Sequence, residues 1–188
     1  MESILEAYTS TQIDKARKVK MIICDVDGVL TNGGIIYDNA GTELKIFNVK
    51  DGQVMKMLRH SGLRVGAITG RSSEVVRLRM EEMGMDFHYH GIKDKYQQYQ
   101  EIKKEWELQD EEISYLGDDI IDIPVLKQCG FAITPQDAKP YVKAYAHLVT
   151  EARGGEGVFR EAADLILAAQ GKFEQAMWQY LENYQEKS

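Results

Sequence analysis

The stretch Ile23-Cys24-Asp25-Val26-Asp27-Gly28-Val29-Leu30-Thr31 decides how the rest of the chain is read. A short apolar run from Val19 to Cys24 stops at two carboxylates spaced two residues apart, and a glycine follows. Such a run, closed by a glycine, is expected to be a buried central strand. Side chains two apart on an extended chain share a face, so Asp25 and Asp27 point the same way if the strand persists. Carboxylates that close repel unless a cation sits between them or one is protonated.

Further short apolar runs, at 63–69, 85–90, 113–116, 130–133 and 147–150, alternate with helical patterns. Helices are expected at 53–60, at 72–83 with Ser72 as cap, at 94–106 and at 120–129. The alternation predicts an α/β fold: a doubly wound, Rossmann-like parallel sheet with helices on both faces. One segment interrupts it. Residues of about 33–48, with Asn39 and Gly41 at the bend, read as a β-hairpin flap hanging over the carboxyl edge of the sheet. Residues of about 157–188 read as a helical tail whose stripe of Phe173, Met177, Tyr180, Leu181 and Tyr184 is expected to pack on the same domain. The whole chain, 1–188, reads as a single domain.

The net charge of -7 disfavours nucleic acid or an anionic membrane as a partner of the whole surface. No apolar run is long enough to span a membrane, and the first residues, beginning Met1-Glu2-Ser3, do not read as a signal peptide. Cys24 and Cys129, without CxxC spacing, read as buried reduced thiols of a cytoplasmic protein. The four histidines are too scattered for a zinc site.

In a doubly wound sheet the ligand lies beyond the carboxyl ends of the strands. This sequence places there Asp25 and Asp27, then Thr69-Gly70-Arg71-Ser72, then Gly117-Asp118-Asp119 with Asp122 one turn on, and Lys95 of the run GIKDK. Lys93 competes with Lys95 for that role. The simplest neutraliser of so many carboxylates is a hard divalent cation with oxygen ligands, and Mg²⁺ is the natural choice. Phosphate is the usual reason for Mg²⁺ to be present, with Lys95 and Thr69 sharing its oxygens. The set offers a mechanism in which Asp25 attacks phosphorus and Asp27 exchanges protons with the leaving alcohol and then with water. Asp119 and Asp122 also read as helix caps.

These residues carry a resemblance. DVDGVLT resembles the first motif of the haloacid dehalogenase-like phosphatase superfamily, and Thr69 in AITGR, Lys95 and GDDIID resemble the other three, in order. The resemblance implies Asp25 as nucleophile, Asp27 as acid/base, Thr69 and Lys95 as phosphate ligands, and Asp25, the Asp27 carbonyl and Asp118 as Mg²⁺ ligands, with Asp119 and Asp122 supporting them. ELKIFNVKDG, TGRSS, GIKDK and the GGEGVFREAADLIL run are similar to the capless 3-deoxy-D-manno-octulosonate 8-phosphate phosphatase family. That family hydrolyses a phosphorylated eight-carbon sugar acid in lipopolysaccharide inner-core synthesis, as a homotetramer whose hairpins associate. The segment between the first strand and the first core helix is too short for a large cap, in agreement. The likeness further implies substrate contacts from Asp27, Asn48, Asp51, Gly52, Lys56, Gly70, Arg71, Arg79 and Lys95. Lys56 stands where the family carries arginine, so that contact is expected to be weaker or differently aimed. Arg153-Gly154-Gly155-Glu156-Gly157 is expected to be flexible. A nine-carbon, sialic-acid-type sugar 9-phosphate is the rival substrate, with Arg71 favouring the shorter sugar. A phosphomutase and a non-catalytic assembly domain are the rival classes.

Overall fold

The structure, a computed structural model, describes residues 2–185. The helices α1 (Glu2–Leu5) and α2 (Ser10–Lys18) lead into β1 (Met21–Cys24), every residue of which is buried. The hairpin strands β2 (Ile36–Tyr37) and β3 (Glu43–Leu44) follow, then α3 (Val49–His60), β4 (Arg64–Ile68), α4 (Glu74–Met83), β5 (Phe87–Tyr89) and α5 (Lys95–Glu105). The second half runs β6 (Ile113–Leu116), α6 (Ile123–Gln128), β7 (Phe131–Thr134), α7 (Pro140–Lys143), β8 (Leu148–Val149), α8 (Val158–Ala169) and α9 (Phe173–Gln185).

The main sheet has the order β5-β4-β1-β6-β7-β8, and all its pairings are parallel. β1 lies in the middle, with Cys24 level with Ala67 of β4 on one side and with Leu116 of β6 on the other. The chain winds outward in one direction through β4 and β5 and in the other through β6, β7 and β8. The crevice between β1 and β6 is therefore the switch point where such sheets bind ligands. Alternation along β1 sends Ile22 and Cys24 to a core shared with α3, α4 and α8, and Met21 and Ile23 to a second core shared with α5, α6 and α7. The doubly wound expectation holds.

Several boundaries differ from expectation, each for a local reason. A helix expected at 53–60 begins at Val49, because the Asn48 side chain accepts the Lys50 N–H at 3.0 Å and caps it. Asp51 and Gly52, which favour turns, lie inside that helix. The helix expected from Ser72 starts at Glu74 after Ser73, whose hydroxyl donates to Glu43 rather than capping. The stretch expected as one helix at 120–129 is a short 3₁₀ turn, Ile120–Asp122, followed by α6. The N-terminal helix α2 was not expected. Its signature is a Thr9–Gln12 capping box, with Thr9 N–H donating to Gln12 at 2.9 Å and Gln12 N–H to Thr9 at 3.3 Å. Phe173, Met177 and Tyr180 of the tail pack against the first core and Leu181 is exposed, while the side chain of Tyr184 lies outside the described residues. The Gly154-Gly155 segment, expected to be flexible, is packed: the Gly155 N–H donates to Val29 O at 3.0 Å, and a Cβ on Gly154 would stand 2.2 Å from the Gly28 carbonyl oxygen.

Gly66, in the middle of β4, faces the Phe87 ring, and a Cβ there would come within 2.1 Å of a ring carbon. The ring body, unlike a flexible chain end, cannot step aside without moving β5. Gly66→Ala is expected to destabilise the fold by about 1–3 kcal/mol, read as a lowered urea midpoint at unchanged slope. An unchanged midpoint would show that β5 shifts freely.

Candidate active site

β1 ends at Cys24 and the chain turns at once, so Asp25 and Asp27 are not on a shared strand face as expected. The N–H groups of Val29, Leu30 and Thr31 all point at the Val26 carbonyl, at 3.3, 2.9 and 3.1 Å. Gly28 makes the turn possible, with φ of +94° and Asp118 Oδ2 2.0 Å from where a Cβ would be.

Asp25 is buried at the foot of this turn. Its Oδ1 accepts the Val26 N–H at 2.7 Å and its Oδ2 lies 2.8 Å from Lys95 Nζ. Lys95 opens α5 behind the Asp94 cap, and its side chain is buried, whereas Lys93 is exposed. Its ammonium also lies 2.7 Å from Asp122 Oδ1. Burial alone would pull Lys95 down, but the Asp25 and Asp122 charges outweigh it and leave it above the ordinary lysine value. Asp122 is wholly buried and fully engaged. Oδ1 also accepts the Tyr115 hydroxyl at 2.6 Å, and Oδ2 accepts the N–H groups of Asp118 and Asp119, each at 3.1 Å. Asp119 caps the turn through the Ile120 N–H at 2.7 Å.

Asp25, Asp118 and Asp122 bring carboxylate oxygens within 4.8 Å of one another. Asp118 Oδ1 is buried and has no partner. Burial, then the neighbouring Asp25 and Asp122 charges, push Asp118 up to about 8. Burial and Asp122 likewise raise Asp25, against the pull of Lys95. One lysine does not balance three carboxylates. With Asp122 already saturated, Asp25 and Asp118 are the side chains with capacity for a hard divalent cation, and the donor set fits one.

Asp27 points elsewhere. Its Oδ1 accepts from Lys45 Nζ and, at 3.3 Å, from the Thr31 hydroxyl, while its Oδ2 is buried with no hydrogen-bond partner. Arg71 Nε stands 3.9 Å from that Oδ2, and the same guanidinium binds Glu43 at 3.0 Å and the Tyr37 hydroxyl at 3.1 Å. Thr69 is buried at the end of β4, where its hydroxyl accepts the Arg71 N–H at 3.4 Å. Gly70 lies beside Ile121. The hairpin thus touches the rim through Lys45, Glu43 and Tyr37. The sequence reading passed over these three, although Glu43 and Lys45 lie two residues apart with the exposed Leu44 between them.

The remaining expected residues form a second group around the start of α3. Asn48 Nδ2 donates to Gly155 O at 3.4 Å. Asp51 is buried, accepts the Arg160 N–H at 2.9 Å at the start of α8, and is pushed up to about 6 by burial. Gly52, Lys56 and Arg79 line a separate recess of about 220 Å³. There Lys56 Nζ stands 5.7 Å over the Tyr180 ring, and Arg79 binds Glu82 at 2.8 Å. Among the described residues, none of this group hydrogen-bonds or ion-pairs with Asp25, Asp27, Thr69, Lys95 or Asp118.

Comparison with known proteins agrees with this geometry. Residues 89–161 match a haloacid dehalogenase-like hydrolase family. The 3-deoxy-D-manno-octulosonate 8-phosphate phosphatase of Yersinia pestis is 42% identical over 87% of this chain and 88% of its own length. The crystal structure of the Moraxella catarrhalis phosphatase of that name, in complex with magnesium ion, phosphate ion and KDO, superposes with a TM-score of 0.89 at 34% identity, covering 92% of this chain and 99% of that one. The cobalt-bound Haemophilus influenzae phosphatase superposes at 0.82 with 36% identity, covering 87% and 99%.

Asp118 has a folded value of about 8 against an ordinary 3.8. A carboxyl raised in this way stabilises the fold fully below its unfolded value, and the stabilisation is lost as pH climbs through the folded value. Metal-free protein is therefore expected to lose thermal stability between about pH 6 and pH 8.5. A bound cation relieves the same repulsion, so saturating Mg²⁺ is expected to raise the midpoint by about 5 °C or more at the alkaline end and by less at pH 6. Thermal melts with EDTA or MgCl₂ read this, and equal gains at both pH values would contradict it.

Proposed function

The chain belongs to the haloacid dehalogenase-like hydrolases, within the 3-deoxy-D-manno-octulosonate 8-phosphate phosphatase family, and from that premise we propose that it is a Mg²⁺-dependent phosphatase releasing the free eight-carbon sugar acid and phosphate, as a step of lipopolysaccharide inner-core synthesis. One observation carries the reading: Asp25 is held by Lys95 and the Val26 N–H at the switch point, beside Asp118, while Asp27 two residues on keeps an oxygen free of hydrogen bonds.

In this reading an Asp25 oxygen attacks phosphorus, the P–O bond to the sugar breaks, and Asp27 gives its proton to the departing alkoxide. Asp27 then takes a proton from water as that water attacks the aspartyl-phosphate, freeing phosphate and restoring Asp25. Lys95 and Thr69 orient the phosphoryl oxygens and stabilise the charge that builds on them. Mg²⁺, held by Asp25, Asp118 and the Asp27 carbonyl, supplies charge neutralisation when bound. Arg71 is the nearest cation for the sugar acid's carboxylate. In the same reading Asn48, Asp51, Gly52, Gly70, Lys56 and Arg79 are further substrate contacts. The recess over Lys56 and Arg79 supports a role for those two at a distance from the reacting atoms.

The same reading takes the chain as one domain and as a cytoplasmic homotetramer. No helix among the described residues is long and apolar enough to cross a membrane. Cys24 and Cys129 are buried and unpaired, which supports a reducing compartment. The hairpin exposes Ile35, Ile36, Tyr37, Leu44 and Ile46, an apolar edge that supports association through hairpins. Ile46→Asp is expected to shift the sedimentation profile toward smaller species. An unchanged profile would remove the hairpin from the interface.

Phosphate release from the eight-carbon 8-phosphate and the nine-carbon 9-phosphate is the direct test. The shorter substrate is expected to give the higher kcat/KM, EDTA to abolish turnover, and Asp25→Asn to lower it at least about a thousandfold. A preference for the nine-carbon substrate would move the assignment to the sialic-acid type. Full activity in Asp25→Asn would end the covalent mechanism.

A further inference from the structure

We infer that Lys45, on the hairpin, is the positioning residue that decides which oxygen of Asp27 carries the proton delivered to the leaving group; the inference rests on the acid/base reading of Asp27. The Lys45 side chain is fully buried, although it belongs to a two-stranded hairpin whose apolar side chains are largely exposed. A lysine loses both hydration and side-chain freedom on such burial, so a buried lysine on a surface flap calls for a partner that repays it. That partner is Asp27 Oδ1, with Glu43 Oε1 3.8 Å away.

The two oxygens of Asp27 are treated differently. Oδ1 takes the Lys45 ammonium and the Thr31 hydroxyl, and Thr31 is itself fixed in the turn by the Gly33 N–H at 3.2 Å. Oδ2 is buried and takes no hydrogen bond, the Arg71 Nε being 3.9 Å away and beyond hydrogen-bond reach. A neutral carboxyl has one O–H donor and one carbonyl acceptor. Both groups on Oδ1 are donors, so the proton belongs on Oδ2, and the contacts to Oδ1 survive in either protonation state. When the P–O bond to the sugar breaks, its electron pair goes to the departing oxygen and the Oδ2 proton follows. The carboxylate that remains keeps its ammonium partner on Oδ1.

The hairpin is therefore tied to the chemistry as well as laid over it. Glu43 is clasped by Arg71 and Ser73 from the end of β4, and Lys45 reaches Asp27 from the same strand face.

Leaving-group dependence separates this from a merely structural role. A sugar alkoxide is too basic to depart unprotonated, whereas 4-nitrophenolate departs as the anion. Rapid-quench single turnovers of Lys45→Met with Mg²⁺ are expected to show phosphoenzyme formation from the sugar phosphate slowed on the order of tenfold to a hundredfold, at least about tenfold more than from 4-nitrophenyl phosphate. Lys45→Arg, which keeps the cation, is expected to recover most of the loss. Thr31→Val, which removes the other donor to Oδ1, is expected to give the same selective pattern in weaker form and carries the test if Lys45→Met folds poorly by circular dichroism. Equal losses on both substrates, or no loss, would overturn the inference. Asp27→Asn cleaving the sugar phosphate at the unaltered rate would instead overturn the acid/base reading beneath it, whatever the Lys45 variants do.

Discussion

A buried ammonium between two buried carboxylates is the constraint on which the rest depends. Lys95 stands 2.8 Å from Asp25 and 2.7 Å from Asp122, and all three side chains are out of water. Charges buried this deeply survive only when their remaining hydrogen-bonding capacity is met. The fold meets it for Asp122 with Tyr115 and two backbone N–H groups, and for Asp25 with the Val26 N–H. Each supplier comes from a different part of the switch point: β6 for Tyr115, the loop after it for Asp118 and Asp119, the β1 turn for Val26, and the first residue of α5 for the lysine. Loss of any one element would strand a charge, so the site and the sheet order stand or fall together.

The same physics explains how a chain of net charge -7 handles an anionic ester. Its cations at the rim are few and individually placed. Lys95 is committed to Asp25, Lys45 to Asp27, and Arg71 bridges the hairpin to the segment after β4 while remaining partly exposed, its side chain 42% accessible. Of the three, Arg71 is the one whose side chain solvent still reaches. The hairpin thus brings its own lysine and glutamate into the rim with few residues.

The sheet was legible because period and length mark buried strands plainly. The runs at 63–69 and 113–116 become β4 and β6 beside β1, as their apolar content requires. Helix starts were harder to read, because Asp51 and Gly52 look like turn residues until the packing of Arg79 on Gly52 is known. Short elements such as α2 and α7 carry little apolar signal: the Thr9–Gln12 capping box alone announces α2, and Pro140 in the first turn announces α7. At the site, Asp25, Thr69, Lys95 and Asp118 are brought to one rim in the order their strands suggest. Asp27 was harder, since its direction depends on a turn rather than on strand period. Lys45 was hidden for another reason: on a flap, a lysine reads as solvated until the structure places it at the rim.

The unsatisfied atoms of the rim are informative because they are not scattered. Asp27 Oδ2 and Asp118 Oδ1 are both buried acceptors without a hydrogen bond, one on the turn after Asp25 and the other on the loop after β6. A buried acceptor left unpaired costs roughly 1–3 kcal/mol, so a rim evolved for stability alone would fill or expose them. Arg71 Nε stands 3.9 Å from Asp27 Oδ2, too far to hydrogen-bond it. Gly28 packs a bare Cα against Asp118, and Thr31 and Lys45 hold Asp27 by its other oxygen. The cost is thus carried at the rim, where a cation held by Asp25 and Asp118 would relieve part of it. Binding then strengthens the fold by the same contacts that do the chemistry, and a more stable, better satisfied rim would be a poorer phosphatase.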